Sequence, residues 1–264
     1  MLRTSPSRIG ARRTWKNMIR IMRYQLLTAM LWLGGANVVQ AQTPLVQTPP
    51  VLELFTSQGC SSCPAADAIF KTYAARDDII ALSMSVDYWD YLGWKDTLAS
   101  PKFSKRQRAY AKTRADGQVY TPQAIVNGRD HVVGSSKSEI EAALKVNAAR
   151  PRAVSMSAFL DKGTVTIEIA QSSDAGTEST IWLAVVQAEA QIDVKAGENR
   201  GRKLTYYNVV RDIVPAGMWS GPATSIRQPA SALATGTNQR FAVILQQGSG
   251  GPIVAAAWAN PKSN

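Results

Sequence analysis

Cys60 and Cys63 are the only cysteines in the 264-residue chain, and they stand two residues apart in Gly-Cys-Ser-Ser-Cys-Pro. The segment before them, 51–56, is apolar and β-rich, and Pro64 follows directly. That order reads as a strand, a tight loop and a helix start. At a helix N-terminus, free backbone N–H groups and the macrodipole favour a negative charge. A thiol placed there loses its proton more easily and becomes the nucleophile of thiol–disulfide exchange. Two intervening residues let the second thiol reach back, so that a mixed disulfide at Cys60 is resolved by Cys63. Two other chemistries compete. A zinc site wants about four ligands, and the chain offers two cysteines and one histidine, His131. A purely structural disulfide is possible, but so short a loop gives little loop-closure stabilisation.

The elements that must hold this pair form two contrasting halves. Residues 51–56 and 79–86 read as buried strands, with a helix over 65–75 between them. A basic helix follows over 101–113, then a strand at 123–126, a turn at Asn127-Gly128, a short strand near 131–133, and a helix over 136–147. Ser138 and Glu141 give that last helix a capping-box pattern. This strand–helix alternation describes an α/β unit ending near residue 150. Beyond it the helical period disappears. Segments 154–160, 164–170, 180–190, 202–213, 225–228, 240–247 and 254–259 all read as strands separated by turn signals. The expected architecture is an α/β domain over 51–150 followed by a separate all-β, sandwich-like domain over 152–262.

The formal charge of +11 is misleading about function. Seven of the 30 basic residues and none of the 19 acidic ones fall within 1–41. The remainder is nearly balanced and has no basic run interleaved with aromatics, which argues against nucleic-acid binding. Residues 1–41 read instead as a signal peptide: a basic start, an apolar stretch over 26–39, and small residues at Val39-Gln40-Ala41. The apolar stretch falls short of the about 20 residues of a membrane span, so no stable span is expected after cleavage; an uncleaved anchor is the alternative. Met22 is an alternative start. A polar, proline-containing linker over 42–50 leads into the first strand. The globular part is thus expected outside the cytoplasm, periplasmic or extracellular, where disulfides persist.

Four stretches together carry a resemblance. They are Phe-Thr-Ser-Gln-Gly-Cys-Ser-Ser-Cys-Pro (55–64), Val-Asp-Tyr-Trp-Asp-Tyr-Leu-Gly-Trp-Lys-Asp (86–96), Tyr-Thr-Pro-Gln (120–123) and Gly-Glu-Asn-Arg-Gly-Arg-Lys-Leu-Thr-Tyr-Tyr-Asn-Val-Val-Arg (197–211). The chain resembles a secreted, thioredoxin-like family, domain of unknown function 1223. The resemblance implies a thioredoxin-like first domain, Cys60 as attacking thiol and Cys63 as resolving thiol. It also implies a cis-proline loop at Thr121-Pro122, beside the pair and available to an extended client segment. By the same analogy Glu53, seven residues before Cys60, is a candidate buried acid for the Cys63 proton. Trp89, in the aromatic run 88–94, either packs under a loop or forms a lip over the dithiol that touches client side chains. The charged turn 198–203 is either a solvated hairpin or a surface that docks a partner or folds over the thiol site.

The function read from the sequence is an exported thiol–disulfide oxidoreductase whose partners are protein or small-molecule thiols and disulfides. It needs no cofactor and no metal. The rival is a non-enzymatic secreted binding module in which the disulfide is a staple. The residues do not decide the redox direction, the client or the oligomeric state.

Overall fold

The computed structural model describes residues 48–150, 154–173, 178–232 and 239–261. The expected signal peptide and most of the linker lie outside them. The first half contains strand β1 (Val51–Thr56), helix α1 (Cys63–Ala74), β2 (Ile80–Ser85), α2 (Pro101–Arg114), β3 (Gln123–Val126), β4 (Asp130–Val133) and α3 (Lys137–Ala148). The second half contains β5 (Met156–Asp161), β6 (Thr164–Ile169), β7 (Ser179–Asp193), β8 (Lys203–Trp219), β9 (Thr224–Pro229), β10 (Gln239–Gln247) and β11 (Ile253–Pro261).

The expected two-domain architecture is corrected. A thioredoxin-like α/β domain followed by a separate sandwich is not what forms. The protein is mostly β, with eleven strands joined in one mixed sheet in the order β4-β3-β1-β2-β8-β7-β10-β11-β5-β6-β9. The join is β8, which returns to lie parallel to β2, pairing Val209 with Ser83. A strand edge exposes unpaired N–H and C=O groups and needs a cover or a partner. Here the second half supplies the partner for β2, so the two halves share one sheet. A second tie is the backbone hydrogen bond from Ile253 N to Asn127 O, 2.9 Å. It draws the turn before β11 against Gly128, where an added Cβ would lie 2.5 Å from the Gly251 carbonyl oxygen.

Alternation along the strands explains how both faces of this sheet are buried. In β1, Val51 and Phe55 point into a core with Phe103 and Tyr110 of α2 and with Ala184, Val186, Ala242 and Ile244. Leu52 and Leu54 point the other way, against Ala66, Phe70 and Tyr73 of α1 and Ile140 and Leu144 of α3. In β7, Ile181, Leu183 and Val185 face a third cluster shared with Val165 and Ile167 of β6 and Phe241 and Val243 of β10. The late strands therefore pack in two layers while remaining continuous with β1 and β2.

Two boundary expectations also change. The last helix is opened by Ser136, whose side chain makes no capping hydrogen bond, and not by a Ser138–Glu141 box. Strand β8 continues past the expected end at 213, because Pro215 sits opposite Trp182 beside a register shift, where a missing N–H breaks no regular ladder.

Candidate functional site

Cys60 and Cys63 form a disulfide, with Cα atoms 5.4 Å apart. Cys63 is the first residue of α1, Ser62 is its N-cap, and Pro64 occupies the first turn, where no N–H is missed. Cys60 lies just upstream, in a turn closed by Cys60 N to Ser57 O and Cys63 N to Cys60 O, both 3.2 Å. Both residues are buried, Cys60 3% exposed and Cys63 0%. Ser61 and Ser62, between them, are exposed.

The loop carrying Cys60 is held from three sides. From below, Gln58 is clamped by the segment after the aromatic run. Its N–H donates to Asp96 Oδ2 at 2.8 Å, and its Oε1 accepts from Trp94 Nε1 at 2.8 Å and from Thr97 N at 3.3 Å. From one flank comes Trp89. A Cβ at Gly59 would stand 3.0 Å from the Trp89 Cβ, so glycine lets the indole's backbone approach the loop. Trp89 Nε1 donates to Thr121 Oγ1 at 2.7 Å, and the Thr121-Pro122 bond is cis. The structure therefore brings together three of the expected parts: the Cys60 loop, Trp89 and the Thr121-Pro122 loop. Tyr91 stacks on Trp89 and is 76% exposed.

The third side is the β7–β8 hairpin tip. Asn199, almost fully buried, donates from Nδ2 to Gln58 O and Cys60 O, both 2.9 Å. Glu198 accepts a hydrogen bond from Ser61 N at 3.2 Å. The charged turn thus closes over the disulfide loop, and its carboxylate takes the backbone N–H beside Cys60.

Glu53 is placed elsewhere. It shares a face of β1 with Val51 and Phe55, away from α1. Its carboxylate accepts from Arg106 Nε at 2.7 Å and from the Tyr110 hydroxyl. Arg106 also donates to Tyr110 Oη at 2.7 Å and to Gln246 Oε1 at 2.9 Å, so this buried set is mutually satisfied. A second buried acid, Asp67, lies on the helix that Cys63 opens. It lies one helical turn after Cys63 and is buried together with Cys63, Ala66, Phe70 and Tyr73. Burial pushes its carboxyl up to about 8; the nearby Thr56 hydroxyl lowers it, and the Asp96 charge raises it further. Both Asp67 oxygens, Thr56 Oγ1 and Tyr206 Oη lack a well-formed hydrogen bond. Asp96 is itself raised, chiefly by burial.

Among the described residues, no three His, Cys, Asp or Glu side chains gather as a metal-binding group. His131 sits in β4, with Nδ1 2.9 Å from Tyr120 Oη and Nε2 3.3 Å from Asp116 Oδ2. Among the described residues, no helix is long and apolar enough to cross a membrane.

Residues 51–246 match the family described as a protein of unknown function, DUF1223. The chain belongs to this DUF1223 family. A crystal structure of a protein from Agrobacterium tumefaciens is similar to it, with 36% sequence identity and a TM-score of 0.70 over 81% of this chain and 95% of that one. The protein HBP35 of Porphyromonas gingivalis shares the fold at 13% identity and a TM-score of 0.57, covering 83% of this chain and 78% of that one. No curated protein matches. Within the DUF1223 match fall Cys60, Cys63, Trp89, Thr121, Asn199 and Asp67.

Sequence reasoning did not find Asp67, Asn199, Gln58 or Asp96. Asp67 left a signal: an acid on the buried stripe of a helix, four residues after a cysteine, is out of place unless it has work to do. Asn199 left none, because its partners are backbone carbonyls about 140 positions away.

Proposed function

We propose that this DUF1223 member is an exported thiol–disulfide oxidoreductase acting through Cys60 and Cys63. The observation that carries the reading is the pair's setting. A two-residue-spaced disulfide opens a helix, with Trp89 against Gly59 of its loop and bonded through Nε1 to Thr121 of the cis Thr121-Pro122 loop, and with Ser61 and Ser62 exposed between the cysteines. An incoming thiolate attacks Cys60 Sγ, on the residue that precedes the helix. The S–S bond breaks, and its electron pair leaves with Cys63. A second client thiolate then attacks the client sulfur bound to Cys60, forming the client disulfide and releasing Cys60. The pair gains two electrons and two protons, and the client loses them. Run backwards, the same steps reduce a client disulfide. The Thr121 backbone offers an extended client segment a place to pair, and Tyr91 over Trp89 offers its side chains an aromatic surface. Protein or small-molecule thiols are the partner class. The leader over 1–41 supports export to a compartment where such chemistry runs.

One observation favours a second reading, a secreted binding module with a stapled loop: both sulfurs are buried and Asn199 ties the loop down. The reduction potential separates the two. A value well below about −300 mV marks a structural bridge and ends the redox proposal, while a value in the oxidoreductase range supports it. Replacing the resolving cysteine, Cys63→Ser, should then trap clients on Cys60 as mixed disulfides detectable by mass spectrometry.

A further inference from the structure

We infer that Asp67 is the proton donor and acceptor for Cys63. The inference rests on the redox reading above and assigns a chemical role to a residue that reading does not use. Residues four apart on a helix are neighbours, with Cβ atoms about 5–6 Å apart. Helical side chains lean toward the N-terminus, so the Asp67 carboxyl leans over the turn that begins at Cys63. Both residues lie on the buried stripe of α1.

Asp67 has no structural occupation that explains it. Its two oxygens make no well-formed hydrogen bond, and no cation is paired with it among the described residues. Three groups face it from the elements packed around it: Thr56 at the end of β1, Tyr206 on β8 and Asp96 in the loop before α2. Thr56 Oγ1 and Tyr206 Oη are likewise without a hydrogen-bond partner. A neutral carboxyl is the form this surrounding tolerates, since an isolated buried charge costs far more than a buried neutral acid. The group thus holds a proton at neutral pH and stands poised to exchange it.

The step balances. When a client thiolate attacks Cys60, the departing Cys63 sulfur takes the Asp67 proton and leaves a thiol and a carboxylate. In the reverse direction the Asp67 carboxylate removes the Cys63 proton. The freed thiolate attacks Cys60 Sγ, reforming the disulfide and expelling the client thiolate.

The test follows reduction of the disulfide by dithiothreitol at fixed thiolate concentration across pH. In the wild type the rate should fall as pH rises through about 8. In Asp67→Asn that inflection should vanish. Below it the rate should drop by about tenfold, less than the usual effect of general acid catalysis, because a thiolate is already a fair leaving group. An unchanged pH profile in Asp67→Asn overturns the inference while leaving the redox reading intact. A wild-type disulfide that resists dithiothreitol overturns the redox reading and the inference with it. If Asp67→Asn does not fold, NMR titration of the Asp67 carboxyl carbon in the wild type decides. Reduction of the pair should move that titration, because a coupled thiol appears beside it. A titration identical in both redox forms overturns the inference.

Discussion

Glu53 and Asp67 are two buried acids on opposite sides of β1, and the chain treats them in opposite ways. Glu53 faces α2, where Arg106 and Tyr110 satisfy both of its oxygens and Gln246 completes the set from β10. Asp67 lies in α1 on the other side, near the disulfide, with no cation and no well-formed hydrogen bond. A paired buried carboxylate stays charged and is a structural part; an unpaired one stays neutral and remains chemically available. The lesson is that an acid's use depends on its partners, not on its count from a motif. Glu53 was selected by counting back from Cys60, and its partners assign it to the core.

Three experiments sharpen or break that contrast. The largest effect belongs to Arg106→Leu, which strands the Glu53 charge in the core. Breaking a buried pair from one side costs about 3–5 kcal/mol, so urea unfolding should show a loss of that size. A loss below about 1 kcal/mol would mean that water reaches Glu53 and the set is not sealed.

Next is the pH dependence of stability in Asp67→Asn. The native Asp67 keeps its proton to about pH 8, whereas the unfolded chain releases it near 3.8. Between those values the unfolded state binds fewer protons, so this group lowers wild-type stability as pH rises. Relative to the wild type, Asp67→Asn should gain about 2–3 kcal/mol between acidic and neutral pH, less than full linkage because local opening admits water. A difference independent of pH would show that Asp67 titrates normally.

The smallest contrast uses the two tyrosines. Tyr110→Phe removes a hydroxyl that bonds Glu53 and Arg106 and should cost about 1–3 kcal/mol. Tyr206→Phe removes a buried hydroxyl with no partner and should be close to neutral. Equal losses in thermal melts would erase the distinction between the two sides of β1.

Much of the element order was legible because it rests on local rules. The apolar runs of β1, β2 and β10, Pro101 at the start of α2 and the Asn127-Gly128 turn each leave a short-range signal. The architecture was not legible, because it turns on which edge β8 finds, and a single pairing between Ser83 and Val209 fuses what read as two domains. The site was legible in the same uneven way. Cys60 and Cys63 announce themselves by type and spacing, Trp89 stands in a dense aromatic run, and Thr121 comes with the family resemblance; the structure links the Cys60 loop, Trp89 and Thr121. Asn199 reaches the loop only through tertiary folding, and Asp67 needed the burial of α1 to be recognised as strained.

The pairing of β2 with β8 also sets an order of events in the cell. As the chain leaves the ribosome, β2 emerges with a bare flank, and its partner follows only after more than a hundred further residues. Until then the nascent chain carries an adhesive ribbon that a chaperone must shield. Cys60 is also made long before Asn199, so the disulfide loop is synthesised before the residue that ties it down.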